Sequence, residues 1–128
     1  MPAGDSFIAT YFKDANTNFL WQNTKGTGSL ALSIESVLDK GLAADFWIGC
    51  GLFENRTDML TSNQKYNSFS AFKKGNIYTY ANNKGATGGL IYYEKAPTRP
   101  DLVLKDIIKI TNSDLLPNYS LTFFQKME

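Results

Sequence analysis

Helix-like and strand-like segments alternate along this chain, and that order constrains its fold more than any other feature. Asp5 or Ser6 can cap a first helix in which Phe7, Ile8, Tyr11, Phe12 and Ala15 recur at helical spacing, and Asn16 to Asn18 end it. Phe19-Leu20-Trp21 is a short apolar run expected to be extended, followed by a loop from Asn23 to Ser29. Ser33 is a good N-cap for a helix from Ile34 to about Lys40, with Gly41 placed to stop it. Ala44 to Cys50 predicts a buried strand and Asn76 to Tyr80 another. Between them Asp58 to Lys74 suits one broken or two short helices, stopped by Gly75. Gly88-Gly89 opens a short helix carrying Leu90, Ile91, Tyr92 and Tyr93. Pro100 then starts the strongest helix, through about Thr111, with Leu102, Val103, Ile107 and Ile110 as its buried stripe. Tyr119 to Phe124 is the last strand signal. Such alternation predicts an α/β domain with a mostly parallel sheet flanked by helices.

The chain has 128 residues, enough for one hydrophobic core, and no repeat or long linker divides it, so residues 1–128 are treated as one unit. Thirteen basic and twelve acidic residues give a net charge of +1, which offers no electrostatic case for nucleic acid or an anionic membrane. Met1 to Thr10 has neither the basic start nor the apolar core of a signal peptide.

Histidine is absent, which removes Ser-His-Asp and Cys-His triads and every histidine-based metal site. Cys50 is the only cysteine, so no internal disulfide or Cys-x-x-Cys motif can form. In Ile48-Gly49-Cys50-Gly51 it reads as a small buried apolar residue at a strand end rather than a nucleophile. No catalytic residue, resident cofactor or metal ligand is assigned, and the expectation is a protein that is not an enzyme.

Four segments together resemble the C-terminal lobe of substrate-binding proteins of ABC importers for iron-siderophores, haem and cobalamin. They are Gly4-Asp5-Ser6-Phe7-Ile8, Leu32-Ser33-Ile34-Glu35-Ser36-Val37-Leu38, Ala44-Asp45-Phe46-Trp47-Ile48, and Phe69 to Tyr78. The run Arg99-Pro100-Asp101-Leu102-Val103-Leu104-Lys105-Asp106-Ile107-Ile108, followed by Leu115-Leu116-Pro117, looks especially like Bacteroidetes members. The resemblance implies a single three-layer lobe, one half of a two-lobe class III periplasmic-binding protein that grips a metal chelate between its lobes. It implies a periplasmic or lipoprotein location and a membrane permease as partner.

The N-terminal lobe and linking helix would then lie outside these residues, and Met1 would be an artificial start. Members of the family also place a strand just before the Gly4-Asp5-Ser6 loop, whereas only three residues precede Gly4 here. A lost strand exposes backbone groups that need partners, so another segment or a second copy of the chain is expected to cover the vacated edge.

In that family a carboxylate on each lobe docks onto permease arginines, and Glu35 occupies the matching position. Its other role is to complement the dipole at a helix start. Ligand contacts are expected from loops at the C-terminal ends of parallel strands. That selects Asp5 and Ser6, then Gly51, Leu52 and Phe53, then Asn82, Lys84 and Gly88, with Tyr92 and Tyr93 lining the cleft and Trp21 stacking on a flat ligand. Trp21 and Phe53 serve equally well as core residues, and Trp47 and Tyr78 are read as core. Lys84 and Arg56 either pair with an anionic chelate or are solvated loop charges.

Two other classes compete. A nucleotide-binding domain would need a phosphate-cradling loop, but Gly26-x-Gly28 lacks the third glycine and a βαβ setting. A small α/β interaction module without a ligand is the remaining alternative.

Overall fold

The computed structural model describes every residue from Met1 to Glu128. In chain order it forms α1 (Phe7–Asp14), α2 (Ile34–Gly41), β1 (Trp47–Ile48), α3 (Arg56–Ser62), α4 (Ser70–Lys74), β2 (Ile77–Thr79), α5 (Ile91–Lys95), α6 (Pro100–Thr111) and β3 (Gln125–Lys126). Short 3-10 helices lie at Gln64–Ser68, Ala96–Thr98 and Ser113–Leu115. No helix is long and apolar enough to cross a membrane.

Most helix ends are set by the local chemistry that the sequence carries. Ser6 caps α1 by accepting from the Ala9 N–H at 3.2 Å, and Asn16, at φ 58°, turns the chain out of it. Ser33 caps α2 through the Ser36 N–H, also at 3.2 Å. Asn55 caps α3 through the Asp58 N–H, Gly75 ends α4, and Pro100 opens α6. The expected break within residues 58–74 is present as α3, the 3-10 turn and α4.

The sheet is small and mixed, which corrects the mostly parallel sheet expected. β1 runs parallel to β2, with Trp47 opposite Ile77 and Ile48 opposite Tyr78. β3 runs antiparallel on the other side of β2, with Tyr78 opposite Lys126 and Thr79 opposite Gln125. The Trp47 N–H donates to the Asn76 C=O just before β2 at 3.0 Å, and the Gly49 N–H to the Tyr78 C=O of β2 at 2.9 Å. Alternation along the strand therefore turns the Ile48 N–H and C=O to the outer side, where no strand pairs with β1. Met1 to Ala3, which precede the Gly4 loop, pair instead with the segment around Ser29, through a Pro2–Ser29 bridge and an Ala3 N–H to Gly28 C=O bond of 2.9 Å. The Phe19-Leu20-Trp21 run is a turn rather than a strand, closed by the Gln22 N–H on the Phe19 C=O at 3.1 Å.

Apolar side chains divide between the two faces of the sheet, as a strand period of two requires. One cluster gathers Ala15 of α1, Val103, Ile107 and Ile110 of α6, Phe123 and Phe124, with Ile48, Tyr78 and Tyr92 packed against it. The other gathers Met59 of α3, Phe72 of α4, Phe69, Ile77, Cys50 and Met127, with Ile34, Val37 and Leu38 of α2 and Trp47 beside them. Trp47 and Tyr78 thus serve the core, as expected. Phe7 does not: it is the first residue of α1 and is 85% exposed, while Ala9 and Ala15 are buried.

Asp106 lies within the apolar stripe of α6, between Val103 and Ile107, and is fully buried. Its Oδ1 accepts from the Tyr119 hydroxyl at 2.6 Å and the Thr122 N–H at 2.9 Å. Its Oδ2 accepts from the Phe123 and Phe124 N–H groups at 2.7 and 3.0 Å. These bonds explain why Tyr119–Phe124 is not the strand its composition suggests. Three successive residues give their N–H groups to one carboxylate, and the ladder starts only at Gln125. A buried carboxylate is tolerated when its lone pairs are filled in this way.

Replacing Asp106 with alanine leaves three backbone donors without a partner, each worth about 1–3 kcal/mol before water relieves some of them, while the Tyr119 hydroxyl keeps Thr122 Oγ1 at 2.9 Å. Asp106→Ala should therefore lose about 3–5 kcal/mol in urea unfolding, and Tyr119→Phe about 1.5–3 kcal/mol. A loss below about 1 kcal/mol for Asp106→Ala would show that the carboxylate does not hold the C-terminal segment.

Candidate functional site

Because β1 and β2 are parallel, the loops that follow them emerge at the same end of the sheet. The chain leaves β1 through Gly49, Cys50 and Gly51, and Gly51, at φ 66°, takes a left-handed turn that a side chain disfavours. The two loops are tied to each other directly. Thr79, fully buried in β2, donates its hydroxyl to the Phe53 C=O at 2.8 Å. Asn82 donates its amide to the Glu54 C=O at 2.8 Å, and Lys84 Nζ pairs with Glu54 Oε1 at 2.7 Å. Asn83 donates to the Thr122 C=O at 2.6 Å, which fixes the second loop to the segment held by Asp106.

Gly51, Leu52, Phe53, Asn82, Lys84, Gly88 and Tyr92 therefore belong to loops and a helix start that share one end of the sheet. Leu52 is 68% exposed there, whereas Phe53 is half-buried with its ring edge-on to Tyr66, 6.0 Å between centroids. Beside them Tyr80 stacks on Tyr92 at 4.6 Å, and its hydroxyl lies 3.1 Å from that of Tyr93. Tyr93 was a sequence candidate with Tyr92, whereas Tyr80 and Glu54 were not. Tyr80 is the last residue of the strand expected at Asn76–Tyr80, and the structure places it just past the end of β2.

Asp5, Ser6 and Trp21 fall elsewhere. A groove of about 480 Å³ is lined by Asp5, Thr10, Lys13, Gln22 and their neighbours, and by none of the residues from the two strand loops. Asp5 Oδ2 accepts from the Gly26 N–H at 3.0 Å, and the Gly4 N–H donates to Thr24 Oγ1 at 2.9 Å. The backbones approach so closely that a Cβ on Gly4 would lie 2.2 Å from the Thr24 carbonyl oxygen. Ser6 is buried with its hydroxyl committed to the helix cap. Trp21 is 8% exposed, packed near Gly41, with Lys40 Nζ 5.6 Å from its ring centroid. Its stacking role gives way to the core alternative, since Phe19 and α2 cover it.

Both cations considered for an anionic ligand are engaged within the chain. Arg56 Nη1 donates to the Phe72 C=O at 3.2 Å and its guanidinium lies 5.6 Å from the Phe72 ring centroid, while Lys84 is held by Glu54. Glu35 is exposed in the first turn of α2 and forms an ion pair with Lys65 that lowers its carboxyl below the ordinary value.

No family model, curated protein or solved structure matches this chain. The site must be read from its own chemistry.

Burial raises the Cys50 thiol to about 12, and its Sγ contacts the Tyr78 C=O at 3.6 Å. Cys50 should resist a thiol-reactive disulfide reagent at pH 8 until the chain unfolds; rapid labelling of the native protein would contradict the burial. Several tyrosines shift the same way. Burial, followed by the bond to Asp106, raises Tyr119 to about 12 from its ordinary 10.0, and burial also raises Tyr78, Tyr80 and Tyr92. The folded state thus holds these protons more tightly than the unfolded chain. The stabilisation is complete below about pH 10 and is lost as pH rises towards and through about 12. The tyrosinate absorbance that belongs to Tyr78, Tyr80, Tyr92 and Tyr119 should appear late, together with unfolding; titration of these four near pH 10 in the folded chain would oppose this.

Proposed function

We propose that this chain is the C-terminal lobe of an ABC-importer substrate-binding protein for an iron-siderophore, haem or cobalamin-type chelate. In this reading it is a three-layer lobe, half of a clamshell, that acts in the periplasm or on a lipid anchor and makes or breaks no bond. The observation that carries the proposal is the convergence of the β1 and β2 loops at the C-terminal ends of two parallel strands. α/β sheets place their ligands there. The distribution of apolar clusters over both sheet faces agrees with three layers.

The ligand-facing surface in this reading is Gly51, Leu52, Asn82, Gly88, Tyr92 and Tyr93, with Tyr80 added. Asp5, which lines a separate groove and accepts from the Gly26 N–H, is not part of it. The N-terminal lobe would supply the opposite wall and also the strand that β1 lacks on its outer side. A second copy of the chain pairing along that edge is the alternative partner for it. Glu35 is the docking group for the permease, exposed at a helix start where a carboxylate can steer and register an encounter.

In the parent protein, Glu35→Ala should lower chelate uptake about tenfold and leave chelate affinity within about twofold. Uptake assays in vesicles beside calorimetric titration of the same variant separate the two. Unchanged uptake would remove the docking role, and absence of any chelate binding by the parent would remove the importer reading.

A further inference from the structure

Lys65, the partner of Glu35, sits on the 3-10 helix Gln64–Ser68, an element that also faces the ligand loops. The next residue, Tyr66, places its ring edge-on to Phe53 at 6.0 Å and to Trp47 of β1 at 5.5 Å. The helix itself is held by its backbone, since Asn63 Oδ1 accepts from the Lys65 N–H at 2.9 Å. The Lys65 side chain is therefore free to serve Glu35 alone. A continuous series of contacts runs from the loop after β1, through Phe53 and Tyr66, to the ammonium that covers Glu35.

The pairing matters because an arginine grips a carboxylate best through both oxygens at once. Lys65 holds Glu35 through Oε1, so a guanidinium can form the two-pronged contact only after the lysine has left. Both side chains are about half exposed or more, which makes the exchange inexpensive. An exposed pair of this kind weakens a competing contact by about two- to fivefold.

We propose that Lys65 is a built-in competitor for the permease-docking carboxylate Glu35, positioned through Tyr66 by the ligand-bearing loop that contains Phe53. This rests on the docking reading of Glu35. Its consequence is directional: a ligand that shifts Phe53 moves the helix carrying Lys65, and so changes how available Glu35 is to an arginine.

The first test measures association of the parent protein with its permease in nanodiscs, comparing Lys65→Gln and Glu35→Gln with the natural sequence. Lys65→Gln should strengthen association about two- to fivefold and Glu35→Gln should weaken it. If Glu35→Gln weakens association but Lys65→Gln leaves it equal or lower, the competitor role fails and the docking reading stands. If Glu35→Gln has no effect, the docking reading fails and takes this proposal with it.

The second test needs no permease. In the 128-residue chain, carboxyl carbon NMR follows Glu35 as pH is varied, with Lys65→Gln marking the unpaired limit. Phe53→Ala should move the Glu35 titration upward toward that limit, and the milder Phe53→Leu should move it less. Titration unchanged in Phe53→Leu and in folded Phe53→Ala would overturn the link between the ligand loop and Lys65.

Discussion

The carboxylate of Asp106 is the interaction on which the rest of this fold depends. It stands in the middle of the apolar stripe of α6 and collects four donors from Tyr119, Thr122, Phe123 and Phe124. In doing so it fixes where the C-terminal segment crosses the molecule. Phe123 and Phe124 enter the core below the sheet, and Gln125–Lys126 arrives alongside β2 in the register observed. A ladder of two residues on each side would not hold by itself, since short strands are marginal without packing. Here the register is imposed from outside the sheet, by a charge that helix and segment share.

That anchor reaches the candidate site. Asn83 donates to the C=O of Thr122, whose own N–H Asp106 accepts, so the loop after β2 is moored to the same structure. From that loop Asn82 and Lys84 hold Glu54, and from the strand below Thr79 holds Phe53. Each of these contacts joins residues far apart in sequence, and together they make two loops behave as one surface. The loops are organised by each other and do not wait for a ligand to order them, which lowers the entropic cost of binding.

What was legible in the sequence follows from how local each interaction is. Ser33 at the start of α2, Pro100 at the start of α6 and Gly75 at the end of α4 act on neighbours within a turn, and the chain reveals them directly. The strands were harder. Ala44–Cys50 has strand composition throughout, but only Trp47 and Ile48 have a partner, because a strand exists where another strand meets it. Asp106 was visible in principle: residues 103, 106, 107 and 110 share one helical face, and a carboxylate among Val103, Ile107 and Ile110 announces a buried partner. Trp21 offered no such cue. Its burial depends on Gly41 and α2, brought against it by tertiary packing alone. The βα order did indicate which loops would meet at the site, since parallel strands point the same way, but not that Lys84 would be spent on Glu54.

The engaged cations carry a further consequence for what this surface can recognise. Arg56 is directed at the Phe72 carbonyl, and Lys84 is neutralised by Glu54, so neither offers a ready charge to an anion. What remains outward at that end of the sheet is Leu52, the hydroxyl of Tyr93 and the amide of Asn82, the last already donating to a carbonyl. Surfaces of that kind bind through area and ring contact, with polar groups setting orientation. A negatively charged ligand would have to open the Lys84–Glu54 pair or bring its counter-charge from outside this surface. A ligand with an apolar or uncharged face would need neither.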